Sequence, residues 1–169
     1  LFNTSVTGTG TTNDMCASTQ ARTFLSKDGN VMIAAGPVAK TVYVYRRTAG
    51  VWNTTATTIT KTDTGFAKYI AMSKDGTVIA VSNGTTIWIY RWSGSAWTLQ
   101  TQTLTNATYG ANYVKNMRLT LDGSKILVCS YNSTTTNDIS IYNTTTGSSI
   151  VSIGNVWSTD NIDMMFQAL

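Results

Sequence analysis

Three Asp-Gly turns stand at a fixed interval, and the residues around them repeat with them. Lys27-Asp28-Gly29, Lys74-Asp75-Gly76 and Leu121-Asp122-Gly123 lie about 47 residues apart. The first is set in FLSKDGNVMIAAG and followed by TVYVYRR and GVW. The second is set in AMSKDGTVIAVSNG and followed by TIWIYRW and SAW. The third is set in RLTLDGSKILVCS and followed by DISIYNTTTGSSIV. A period of roughly 40–50 residues holding several short strands marks an array in which each unit buries its faces against its neighbours.

The second unit divides most clearly. Residues 66–72 read as a first strand, ending in a turn at 73–76. Asp-Gly between two apolar runs signals a hairpin, because glycine tolerates the positive φ such turns need. Residues 77–81, 86–92 and 96–104 read as the second, third and fourth strands. Four short antiparallel strands joined by tight turns make one propeller blade. Along the third strand, Ile87 and Ile89 face one way and Trp88, Tyr90 and Trp92 the other. Both faces are apolar, as in stacked blades, whereas a half-exposed sheet has one polar face. A plain β-sandwich does not explain the interval. The expected fold is all-β: a β-propeller of four-stranded antiparallel blades in one segment over 1–169. The units fall at roughly 14–59, 63–105 and 110–153, with part-blades at both ends.

One further period places the next Asp-Gly just past Leu169, and Leu1 aligns near Thr48. The chain therefore holds about 3.6 periods. Closed propellers usually need roughly four to eight blades. The ring is expected to be incomplete here, finished by the remainder of a longer polypeptide or by other chains. The fragment reading is preferred, and two copies would supply about seven blades. The start at Leu1, without an initiator methionine, fits a processed product or a piece of something longer.

The S-x-D-G turn, the following hydrophobic strand, V-x-V-Y or I-x-I-Y, and a downstream T-G or G-x-W resemble WD40-type and FG-GAP-type propeller repeats. The third unit, with Leu121-Asp122-Gly123, Ile139-Ser140-Ile141-Tyr142 and Thr146-Gly147, is nearest to WD40-like spacing. The first two, with Tyr43-Val44-Tyr45, Val51-Trp52, Trp88-Ile89-Tyr90 and Ala96-Trp97, are more similar to FG-GAP-like repeats. The resemblance covers nearly the whole chain and implies a fold far more than a function. The Gly-His and Trp-Asp pairs of true WD40 blades are missing, and so is the Asp-rich calcium loop of integrin-type FG-GAP repeats. Asp28, Asp75 and Asp122 are accordingly read as turn residues and not metal ligands.

Composition narrows the chemistry. Histidine is absent, so no Ser-His-Asp or Cys-His pair and no histidine-based zinc site can form. Of the 8 acidic residues, three belong to the turns. Asp160 and Asp163 stand three apart in a polar segment, and nothing nominates the facing carboxylates a glycosidase needs. We expect no enzyme, no cofactor and no metal. The net charge of +4 is scattered, with Arg46-Arg47 the only basic pair, so no nucleic-acid partner is expected. No run of about 20 apolar residues exists, so no membrane insertion by a helix is expected. Cys16 and Cys129 fall at non-equivalent places two units apart and are expected as free thiols.

Tyr45, Tyr90 and Tyr142 recur at one repeat position, and Trp52 and Trp97 at another, which argues for packing. Trp88 and Trp92 recur less regularly, replaced by Tyr43 and Arg47 in the first unit. Trp88, Trp92 and Arg47 are therefore the candidate contacts for a partner or a sugar. Six N-x-S/T sequons, at Asn3, Asn53, Asn83, Asn106, Asn132 and Asn143, are candidate glycan sites. With little charge and more than a quarter Ser and Thr, they suggest an extracellular or virion-surface setting. The leading expectation is a structural, assembly or protein-interaction module whose partners are other chains or the missing remainder of this one. The alternative is a carbohydrate-binding propeller using rim aromatics, with glycans as partners.

Overall fold

The computed structural model describes residues 23–36, 38, 40–105, 113–132 and 136–153. Among them there are thirteen strands in three sheets and no helix. The first sheet contains β1 (Thr23–Leu25), β2 (Val31–Gly36), β3 (Thr41–Thr48), β4 (Val51–Trp52) and β5 (Thr57–Thr60). The second contains β6 (Tyr69–Met72), β7 (Val78–Ser82), β8 (Thr86–Trp92) and β9 (Trp97–Thr105). The third contains β10 (Tyr113–Leu119), β11 (Lys125–Asn132), β12 (Thr136–Asn143) and β13 (Ser149–Ile153). In each sheet successive strands pair antiparallel, giving the four-step meander of a blade.

The outer strand is irregular in every blade. In the first it is split, β4 pairing the end of β3 and β5 pairing its start. In the second the register of β9 shifts between Trp88 and Tyr90, and in the third that of β13 shifts between Ile141 and Tyr142. A bulge lets an edge strand bend and twist away from the flat sheet.

The first strand of the second blade starts at Tyr69 and not at residue 66. Two successive turns replace its beginning: Phe66 N–H donates to the Asp63 carbonyl and Lys68 N–H to that of Gly65, both at 3.1 Å. Positive φ at Gly65 and Ala67 drives Phe66 into the core. The second strand starts at Val78 because the Asp75 carboxylate holds Thr77 N–H in the turn.

Two cores lie between the three blades. Ile33, Val42 and Val44 of the first pack on Phe66, Ile79 and Trp88 of the second. Ala80, Ile87 and Ile89 on the other face of the second pack on Met117, Ile126 and Val128 of the third. The middle blade thus buries both faces, and the alternation along β8 sorts its side chains between two neighbours.

Candidate functional site

The repeated turn is a closed hydrogen-bond unit. Ser73 Oγ donates to the Asp75 carboxylate at 2.5 Å and accepts from Val78 N–H at 2.9 Å. Ser26 does the same between Asp28 and Val31, and Thr120 between Asp122 and Lys125. Each carboxylate also accepts the backbone N–H two residues on, from Asn30, Thr77 and Ser124. Ser124 N–H, followed by the Thr120 hydroxyl, holds the Asp122 carboxyl down at about 2. The Ser26 hydroxyl, followed by Asn30 N–H, lowers that of Asp28. These carboxylates are engaged by their own turns.

The turns also join the blades. Lys27 N–H donates to the Lys74 carbonyl at 2.7 Å, and Asp75 N–H to the Leu121 carbonyl at 3.1 Å. Each following glycine receives the valine of the blade before it. A Cβ on Gly76 would stand 2.9 Å from Val31 Cγ2, and one on Gly123 would stand 2.3 Å from Val78 Cγ2. Gly29, at the same position in the first blade, has nothing within 4 Å.

An arginine beside each of these valines reaches into the next blade. Arg46 pairs with Val31 across β2–β3, and Arg91 with Val78 across β7–β8. Arg91 Nη2 donates to Thr144 Oγ1 at 2.7 Å and Thr145 Oγ1 at 3.3 Å in the third blade. The Arg46 guanidinium lies 3.8 Å over the Trp92 ring and 5.5 Å from that of Trp97, both in the second blade. Burial there pulls the Arg46 pKa below the guanidinium range, with Asp28 acting the other way. Arg46 Nε and Nη2 and Trp97 Nε1 are buried donors without an acceptor.

Of the three residues nominated from sequence, Trp88 does not reach the rim. It is buried against Phe66, ring centroids 5.3 Å apart, because period-2 alternation aims it at the first blade. Trp92 is half-buried and tilted onto Trp97 at 5.4 Å, and Arg47 is half-buried with Nε donating to the Gly50 carbonyl. Trp92 and Arg47 are not joined with Trp88 in one site. The residue missed is Arg46, whose recurrence as Arg91 was the available signal.

Tyr45 and Tyr90 are buried and Tyr142 half-buried, while Trp52 and Trp97 are half-buried near blade edges. Burial, then the charge of Asp63, pushes the Tyr90 phenol up to about 12. Among the sequons, Asn53 is exposed, and Asn83 and Asn143 are half-buried with Oδ1 capping their turns. Asn132 ends β11, whereas Asn3 and Asn106 lie outside the described residues. Cys129 is buried. Cys16, Asp160 and Asp163 lie outside the described residues. Among the described residues no group of three or more His, Cys, Asp or Glu could hold a metal.

The outer faces of the two end blades are open only in part, since Ala34, Tyr43 and Tyr45 on that of the first are buried. Leu25 is 60% exposed, whereas Met72, its counterpart on the second blade, is 7% exposed. On the third blade Leu127 and Ile141 are only half-buried, although their counterparts Ala80 and Ile89 are fully buried. A groove of about 350 Å³ runs along this face, lined by Arg118, Leu119, Leu121, Lys125, Leu127 and Ile141.

No known protein family and no curated protein matches the sequence. Solved structures do match in fold. The β-propeller domain of Swd1 from Myceliophteria thermophila is similar over 80% of this chain and 43% of that one, with a TM-score of 0.58 and 10% identity. A protein from Lactobacillus plantarum is similar over 81% and 41%, with a TM-score of 0.55 and 17% identity. Hydrazine synthase from Kuenenia stuttgartiensis is similar over 77% and 35%, with a TM-score of 0.56 and 12% identity. The chain thus spans less than half the length of these proteins. At such identities the likeness shows the fold, which is that of a β-propeller with an incomplete ring.

Proposed function

We propose that this chain is a non-enzymatic assembly or protein-interaction module, a segment of a larger WD40-like or FG-GAP-like propeller at a cell or virion surface. The carrying observation is the open groove on the outer face of the third blade, with Leu25 exposed on the first. Leu25, Leu127 and Ile141 are less covered than their counterparts Met72, Ala80 and Ile89 in the middle blade. Apolar faces of this kind mark interaction surfaces. The accessible sequons support the surface setting. Further blades, in the same polypeptide or another, are the partners. The test is the mass of the native polypeptide and of its complexes. We expect a polypeptide heavier than 18.3 kDa or stable association with other chains. A native 18.3 kDa monomer that neither associates nor binds an apolar dye overturns the reading.

A second reading, sugar binding, is favoured by the cluster of Trp92, Trp97 and Arg46. Its orphan donors want an acceptor, and a carboxylated saccharide offers one beside aromatic faces. Such a ligand should raise the melting temperature in proportion to its saturation of the site, and Trp92→Ala should abolish that rise. If no neutral or acidic saccharide moves the melting curve, this reading fails.

A further inference from the structure

The third blade departs from the other two at the places where a blade receives its neighbour. Val31 seats Gly76 and Val78 seats Gly123, but the next residue at that position is Lys125. The arginine paired with each valine, Arg46 or Arg91, gives way to Asn143, which pairs with Lys125. On the inner strand, Phe24 and Ala71 pack toward the following blade, and one period on stands Arg118. Their cross-strand partners stay apolar throughout, as Ile33, Ala80 and Leu127. Two cations thus replace apolar groups on a face otherwise kept for packing.

We infer that this face docks a partner protein through a segment that sets a carboxylate among aliphatic side chains, and not through another Ser-x-Asp-Gly turn; this rests on the assembly reading of the open groove. Lys125 is exposed and lines the groove with Arg118, Leu127 and Ile141. A cover that was apolar throughout would strip water from two cations and bury them, at a cost above what the leucine and isoleucine contacts contribute. A carboxylate opposite them offsets that cost and fixes the orientation of the arriving segment. Lys74 adds a third cation to the rim, and among the described residues no acidic side chain lines the groove. Asp75 and Asp122, next in sequence to Lys74 and Leu121, are held by the hydrogen bonds of their own turns. A repeat turn seats its glycine on a valine, and here that valine is replaced. A second copy of this chain, arriving by its first blade, would bring such a turn and add Lys27 to a cationic rim.

The test uses the full chain and the fluorophore-labelled peptide Glu-Thr-Leu-Thr-Leu-Thr-Glu, with two controls that carry glutamine or lysine at both ends. An extended peptide of this pattern puts both ends and both leucines on one face. Anisotropy titration should give the glutamate peptide a Kd at least about tenfold below that of the glutamine peptide, the gap narrowing as salt rises. Lys125→Val restores the residue of the other two blades and should bring the two peptides to within about twofold of each other. Lys125→Glu should prefer the lysine peptide to the glutamate one. Should Lys125→Val fold poorly, Lys125→Gln takes its place with the same loss expected. Equal binding of the glutamate and glutamine peptides, no binding of either, or an unchanged preference in the Lys125 variants overturns the inference. So does a peptide displaced by self-association of the chain in sedimentation, because a second copy then fills the groove. Association with other chains without a preference for glutamate overturns the inference alone. The preference in a lone native monomer overturns only the assembly reading.

Discussion

Gly123 has no room for a side chain, whereas Gly29 has nothing but room. Both have φ near +70°, so a methyl group costs about 1–2 kcal/mol in each through backbone strain alone. At Gly123 the added atom also meets Val78 at 2.3 Å, and overpacking adds about 1–3 kcal/mol. Gly123→Ala should therefore lower unfolding stability by about 2 kcal/mol more than Gly29→Ala, as urea titration will read. A similar loss in both would mean that the third blade does not seat on Val78. Asp122 gives a prediction in pH. Its folded pKa of about 2 lies below the ordinary aspartate value of 3.8. Stability from this group is present above the unfolded pKa and lost as pH falls through about 2. Asp122→Asn should flatten the acid limb of the stability curve between about pH 4 and pH 2. An unaltered limb would show that the turn does not hold the charge. Ser73→Ala leaves Val78 N–H without its buried acceptor and should cost about 1–3 kcal/mol in the same urea assay.

At the level of strands and blades, the two junctions use one arginine position in two ways. Arg91 finds hydroxyl oxygens, whereas Arg46 lies on an indole. A double-mutant cycle over Arg46→Ala and Trp92→Ala should return a coupling of about 0.5–2 kcal/mol, and an additive pair would remove the stacking from the account. Much of this level was legible from sequence because strand alternation and turn chemistry are local. β8 matches its expected bounds, and the two faces of Ile89 and Tyr90 went to the two neighbours that alternation implied. What escaped depends on contacts distant in sequence. Trp88 looked like a rim residue because nothing local announces that Phe66 curls under it through two turns. Arg46 looked like half of a basic pair with Arg47, yet neighbouring residues on a strand point apart, so they form no shared patch. The split of the outer strand into β4 and β5 was hidden for the same reason, since a bulge is a relation between strands.

As a whole, the molecule is a short array in which stability is shared with neighbours. Among the described residues the middle blade packs on a neighbouring blade through each face, and each outer blade packs on it through one. Hydrogen exchange should therefore protect amides of β7 and β8 longest, with β2 and β12 opening earlier by at least about tenfold, the factor expected when a junction contributes one more kilocalorie or so. Equal protection across the three sheets would mean that they unfold as a single unit.

The bonds between successive turns give the array a sense, like the lay of a rope. At each of the two junctions the turn of the earlier blade offers an amide hydrogen to a carbonyl in the turn of the later one, as Lys27 and Asp75 do toward Lys74 and Leu121. A module arriving ahead of the first blade must bring an N–H to be compatible, and one arriving behind the third must bring a carbonyl. Presented the other way round, donor would meet donor at these turns, so the turns favour new neighbours in one orientation.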